Sequence, residues 1–288
     1  MNCLEISNIG SACGKNVYNP RIKTILLLLC REKPEFYKKE LIKNGNIIPL
    51  EGASLKKPIE KCYKTYSKKI QDPNDFENIE NEVIEEIKTN NPSFTQSDIT
   101  FAKQVIKDSL KKDCGKNTET VVIEKSNYKK GNNVMLNYKD PNHKWKLKGF
   151  HDASNEDLVI EIKTRMRQNN VKKNEYDLYQ LFGYMLAMNK TRGMITQTYD
   201  GKIYDSTLET QNEYGIVDIT ETSWNEKYIN FYKELSSFFE EVKNYNENLD
   251  FDVTKVLVPG KIYAHEDSHG NFHNINPDFT NLFKAFGK

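Results

Sequence analysis

Asp152, Glu161 and Lys163 are the residues of this chain whose types and spacing point most clearly to chemistry. Glu161 and Lys163 lie in Leu158-Val159-Ile160-Glu161-Ile162-Lys163, a run that is apolar apart from those two side chains. The period of two in a strand puts both on one face. Asp152 ends the preceding run, Gly149-Phe150-His151-Asp152, and the turn formers Ser154-Asn155-Glu156-Asp157 separate the two runs. Burying an unpaired charge is costly, so Glu161 and Lys163 must be partnered, by an ordinary ion pair at a strand end or by a bound cation. Carboxylates converging beside an amine are what metal-assisted phosphodiester hydrolysis requires, because the cation must be held against the scissile phosphate with a proton-handling group alongside. Glu-x-Lys alone is a common tripeptide and fits the ion pair equally well.

The elements that must position these residues can be read from periodicity. Asn19-Pro20 and Lys33-Pro34 precede helices expected at 21–31 and 35–43, followed by helices at 57–70 and 75–89. In the last of these Phe76, Ile79, Val83 and Ile87 recur at helical steps. Ser97 or Asp98 caps a further helix that carries Ile99, Ala102, Ile106 and Leu110 inward and stops at Cys114-Gly115. Extended runs follow at 118–124, 133–138, 144–150 and 158–163, separated by turn formers, and read as an antiparallel meander. Residues 177–189 return to helix, placing Gln180 and Tyr184 one turn apart on one face. Asp200-Gly201 marks a hairpin between runs at 194–199 and 202–209, which completes one mixed sheet. A helix at 224–245, with Tyr228, Phe231, Leu235, Phe238 and Val242 on one stripe, should cover it.

Composition limits the alternatives. Of 288 residues 29% are charged and 11% aromatic, a mixture that folds and is unlike a disordered chain. The longest apolar run, 25–30, falls far short of the roughly 20 residues a membrane span needs. The N-terminus lacks the pattern of a secretory signal, so the protein is expected to work inside a cell, with no membrane partner. Five scattered cysteines without a C-x-x-C pair read as reduced thiols rather than cluster ligands. The net charge of +1 hides a division: 12 Lys/Arg against 5 Asp/Glu over 125–173, and 3 against 12 over 203–252. Taken alone this division fits two solvated faces of opposite sign, but the basic stretch surrounds Asp152, Glu161 and Lys163, where a nucleic-acid partner would bind. His265, His269 and His273 are four apart, but the turn formers between them break the helix that would align them on a metal. No P-loop or G-x-S-x-G pattern supports another catalytic class.

Gly149-x-x-Asp152, then Glu161-x-Lys163, then Gln180-Leu-Phe-Gly-Tyr184 on a helix together resemble the RecB-type signature of the PD-(D/E)XK nucleases. The stretch from Ser7 through Gly10-Ser11-Ala12-Cys13-Gly14 to Tyr18-Asn19-Pro20 is similar to the opening of YqaJ-type viral recombination exonucleases. The first resemblance covers about 98–209 and the second 7–20. Together they imply an α+β fold with a restriction-endonuclease-like core, a central mixed sheet flanked by helices, and a helical N-terminal region that grips DNA ends. The expected spans are 1–95 for that region, 96–250 for the core and 251–288 for a C-terminal extension. The implied activity is a sequence-nonspecific DNA exonuclease acting in replication, recombination or repair, in the cytoplasm, nucleus or a viral replication compartment. DNA is the implied partner, and a single-strand-annealing or replication protein a further one. Asp152, Glu161 and the Ile162 carbonyl would hold Mg2+, with Mn2+ able to substitute, and Lys163 would orient or deprotonate the attacking water. Such families carry a further acid on the preceding helix; here no glutamate stands near the middle of 98–108, leaving Gln104 or Asp98 as its replacement. Gln180, Tyr184, Lys148, Arg165, Arg167 and Lys172, with Lys144, Lys146 and Lys173, are the expected DNA contacts. A catalytically silent nucleic-acid-binding protein on the same fold, a structure-specific endonuclease, or a scaffold using the acidic C-terminal surface are the rival readings.

Overall fold

The computed structural model describes residues 3–43, 48–49, 56–67, 70, 73–140, 143–165, 174–199, 202–204, 215–253, 263–266 and 272–274. In β1 (Cys3–Glu5) Leu4 is buried between half-exposed neighbours, the alternation of a strand. A short turn leads into α1 (Ile9–Ala12), all of it buried. Pro20, in an extended conformation, caps α2 (Arg21–Glu32), whose residues 24–30 are buried without a break. α3 (Pro34–Lys43) begins on proline, whose missing N–H costs nothing at a first helical position. β2 (Ile48–Pro49), α4 (Lys56–Tyr63) and α5 (Phe76–Asn90) follow.

α6 (Gln96–Ser126) departs most from the sequence expectation. Its start is as expected: the Thr95 hydroxyl accepts from Asp98 N–H at 3.2 Å and the Asp98 carboxylate accepts from Thr95 N–H at 2.7 Å, a capping box. The expected stop at Cys114-Gly115 does not occur, and 118–124, expected as a strand, forms the last turns of the same helix. Packing outweighs local preference here. Cys114 is fully buried among the residues of α4 and α5, while Val122 and Ile123 bury against Ala153, Ile160, Ile162 and Met194. Those contacts offset a glycine and the five β-branched residues Thr118, Thr120, Val121, Val122 and Ile123, which each disfavour helix by about 1 kcal/mol or less. Asn127, left-handed at φ 54°, ends the helix with Tyr128 N–H on the Ile123 carbonyl. A Cβ at Gly115 would meet open space. Gly115→Ala is therefore expected to stabilise the fold by about 0.5 to 1 kcal/mol, read by chemical denaturation; destabilisation would contradict a continuous helix.

The strands are β3 (Lys129–Lys130), β4 (Asn133–Asp140), β5 (His143–Phe150), β6 (Ala153–Ser154) and β7 (Leu158–Thr164), then α7 (Glu175–Met188), β8 (Arg192–Tyr199), β9 (Lys202–Tyr204) and β10 (Ile216–Asp218). α8 (Thr222–Asn248), β11 (Tyr263–Glu266) and β12 (Phe272–Asn274) complete the described elements. The fold is mixed α and β, as expected, but the strands divide into separate sheets. One has the order β1-β5-β4 and another β10-β8-β7-β6-β3, with β9 on β8. β1 pairs parallel with β5 and β7 parallel with β8. The chain leaves the first sheet at Phe150 and enters the second at Ala153, so His151 and Asp152 form the corner between them. The Asp200-Gly201 turn lies outside the described residues, yet Tyr199 pairs with Lys202 antiparallel, as a hairpin requires.

Two large cores form, and they do not divide at residue 95. Leu4, Ile6, Ile9 and the apolar face of α2 share one core with Trp145, Leu147, α7, α8, Phe251 and Val253. Within it the Trp145 and Phe239 rings stack at 4.1 Å. α4, α5 and α6 up to Cys114 enclose the other. β1, α1 and α2 thus share a core with β5, α7 and α8, while α4 and α5 do not. At the C-terminal end β11 pairs with β12 and with β2, and His265 lies opposite His273 across antiparallel strands rather than on a helix; His269 lies outside the described residues. Among the described residues no helix is long and apolar enough to cross a membrane.

Candidate active site

Asp152 is fixed at the corner between the two sheets. Its Oδ2 accepts the Ile162 N–H at 2.7 Å, and its carbonyl accepts the Gly131 N–H at 2.9 Å. A side chain at 131 is impossible without rearrangement, since a Cβ would lie 1.6 Å from the His151 carbonyl oxygen. His151 itself is buried and turns its Nδ1 to the Asn132 backbone. In a strand the N–H and C=O of one residue point to the same edge. The Ile162 carbonyl therefore faces the edge on which Asp152 sits.

β7 sends alternate side chains to opposite layers, as its sequence predicts. Ile160 and Ile162 pack under α6, while Val159 joins the core beneath α7. Glu161 and Lys163 share the α7 face, where Lys163 Nζ donates to Glu161 Oε1 at 2.6 Å and to Gln180 Oε1 at 2.9 Å. Asp177 Oδ1 lies 3.6 Å from the same ammonium. The Tyr184 hydroxyl, one turn beyond Gln180, donates to the Phe150 carbonyl at 2.8 Å. Glu161 is 2% exposed, and its second oxygen, Oε2, is buried without a hydrogen-bond partner.

The acid that sequence reasoning missed is Glu119, on the part of α6 expected to be a strand. It acts electrostatically on both Asp152 and Glu161, and Lys116 and Lys130 act on it. Burial, then the neighbouring acids, shifts the group upward: the Asp152 carboxyl is pushed to about 6, Glu161 to about 8, and Glu119 is raised as well. Lys163 is raised too, because the attraction of Glu161, Asp177 and Asp152 exceeds its own desolvation, so its ammonium stays charged. The missing signal was helix continuity. Lys116 and Glu119 fall on one face only if this stretch is helical rather than a strand, where an odd offset would put them on opposite faces.

Several expected site residues stand elsewhere. Gln104 donates to Asp108 at 3.1 Å on an exposed face, roughly 22 Å along the helix axis from Glu119 at 1.5 Å per residue. Asp98 is spent on the capping box. Neither supplies the helix-borne acid. Arg165, expected on DNA, is 9% exposed and bound to Gln197 Oε1 at 2.7 Å and Asp177 Oδ2 at 2.5 Å. Tyr184 is 2% exposed, with its hydroxyl committed to Phe150, and serves to hold the corner strand. Gln180 is half-buried and holds Lys163. Lys148 is exposed on β5, where a DNA contact remains open to it. Arg167 and Lys172 lie outside the described residues.

The donor set suits a hard cation. Burial, and then mutual repulsion, raises the carboxyls of Asp152, Glu161 and Glu119, one Glu161 oxygen is buried and orphaned, and a backbone carbonyl faces the edge on which Asp152 sits. Among the described residues no three Asp, Glu, His or Cys side chains are closed on one point, and Glu161 is held by Lys163. A cation would therefore displace protons and draw Glu161 from its lysine. The unfolded carboxyls titrate near 4, and Asp152 and Glu161 in the fold near 6 and 8, so the unfolded state releases these protons first as pH rises. Metal-free protein is thus expected to lose this site's contribution to stability between about pH 4 and 8. Mn2+ affinity should rise over the upper part of that range, by up to about tenfold per pH unit for each proton displaced. Calorimetric Mn2+ titrations at pH 6 and 8 check this, and equal affinities would contradict it.

No family model and no curated protein matches the chain. Among solved structures it is similar to SSO0001, at 17% identity over 52% of this chain and 72% of that one, with a TM-score of 0.30. A likeness of that size carries no functional argument, and the residues themselves must supply it.

Proposed function

We propose that this chain is a metal-dependent DNA nuclease of the PD-(D/E)XK type, acting from DNA ends without sequence preference. The observation that carries the reading is Asp152 bound to the Ile162 N–H on the strand that carries Glu161, with Lys163 hydrogen-bonded to Glu161 and the Glu119 carboxyl within electrostatic reach of both acids. Asp152, Glu119, Glu161 and the Ile162 carbonyl would hold Mg2+, or Mn2+ in its place. The bound ion would polarise the scissile phosphate and acidify water. Lys163 stays charged among carboxylates, so it positions and stabilises anionic charge rather than abstracting a proton. Gln180 fixes one of its three N–H directions. Exposed Lys148, Lys116 and Lys130 offer contacts to the DNA backbone, which give affinity without sequence information.

The test is digestion of end-labelled single- and double-stranded DNA with Mg2+, beside covalently closed circles and a chelator control. Progressive shortening of linear DNA, intact circles and full inhibition by the chelator are expected. Binding without cleavage in both Mg2+ and Mn2+ would return the protein to the silent DNA-binding reading, and cut circles would make it an endonuclease.

A further inference from the structure

Resting on that reading, we infer that Asp177 is a positioning residue: the reserve counter-ion of Lys163, which holds its ammonium when Glu161 turns to the metal. Glu161 has two claimants. Its Oε1 is the 2.6 Å partner of Lys163, and it is also a carboxylate of the acid cluster. A cation that takes Glu161 leaves Lys163 with the neutral Gln180 as its hydrogen-bond acceptor. A buried ammonium without a counter-charge is costly, so metal binding would be opposed unless a second carboxylate stood by.

Asp177 meets that requirement. It lies on α7 one turn before Gln180, on the same face, and is 1% exposed. Its Oδ1 has no hydrogen bond and stands 3.6 Å from Lys163 Nζ, just beyond bonding distance and facing it. Its Oδ2 is held by Arg165, which is held in turn by Gln197 on β8. The buried chain Gln197, Arg165, Asp177, Lys163, Glu161 thus links β8, α7 and β7, with its one loose joint beside the acid cluster. A purely structural ion pair between Arg165 and Asp177 would not need the second oxygen left unbonded against Lys163.

The experiment is Mn2+ titration of the full chain without DNA, with a thermal melt of each variant. Asp177→Asn should weaken Mn2+ binding roughly 10- to 100-fold, the usual scale for a partner of a metal ligand. Arg165→Met should change it little, because Asp177 then remains free to take Lys163. Lys163→Met should remove the competition, so that adding Asp177→Asn to it has no further effect. If Asp177→Asn alone does not fold, the pair Arg165→Met with Asp177→Asn removes both buried charges together and should show the same weakening. Wild-type affinity in Asp177→Asn or in that pair, or equal losses in Asp177→Asn and Arg165→Met, would overturn the inference and leave the nuclease reading standing. Failure of the wild type to bind Mn2+ at all would overturn both.

Discussion

Asp152→Asn is expected to reduce cleavage by roughly 10³-fold or more while DNA binding stays within about threefold, since Lewis-acid stabilisation is worth several kcal/mol and each 1.4 kcal/mol is tenfold. Asparagine keeps the shape of the side chain and an oxygen that can accept the Ile162 N–H, now at 2.7 Å. What it loses is the charge facing Glu119 and Glu161. Removing one of three neighbouring carboxyls should not destabilise the metal-free fold, because those groups are already raised by burial and then by one another. A melting temperature at or above wild type would separate lost chemistry from lost structure. Lys163→Ala should also abolish cleavage but is a harsher change, since it leaves Glu161 buried without its 2.6 Å partner. Wild-type turnover by Asp152→Asn, measured on end-labelled DNA under single-turnover conditions, would remove Asp152 from the site.

Glu119→Gln is expected to slow cleavage by about 10²-fold, within the 10- to 100-fold usual for groups that tune a metal site, or more if it ligates directly. Gln104→Ala should leave cleavage unchanged. The contrast isolates which turn of α6 supplies the acid. Glu119 couples to Asp152 and Glu161, whereas Gln104 bonds only within its own exposed face. Glu119→Gln also removes a source of repulsion, so Asp152 should titrate lower and the metal-free protein should be slightly more stable. A variant as active as wild type would show that Asp152, Glu161 and the Ile162 carbonyl suffice. Reduced cleavage in Gln104→Ala with none in Glu119→Gln would require the helix to be placed differently.

The sequence by itself determined what depends on local period. Alternation along β7 set Glu161 and Lys163 on one face, the three- and four-residue steps marked the helices, and the i, i+4 spacing set Gln180 and Tyr184 on one face, where Gln180 meets Lys163 and Tyr184 meets Phe150. Charge burial in an apolar strand required that Glu161 and Lys163 be partnered, and each is. Tertiary structure decided what competing local preferences left open. Thr118, Thr120, Val121 and Val122 favour a strand, and Gly115 favours a stop, yet the apolar space above Ile160, Ile162 and Met194 is filled by carrying the helix on through all of them. That one extension delivers Glu119 to the site. Arg165 reads in sequence as a free cation in a basic stretch, and only the approach of α7 turns it toward a buried Asp177. Side-chain spacing along one element is fixed by covalent geometry; which charges meet across elements is fixed by packing, and no single stretch of the chain records it.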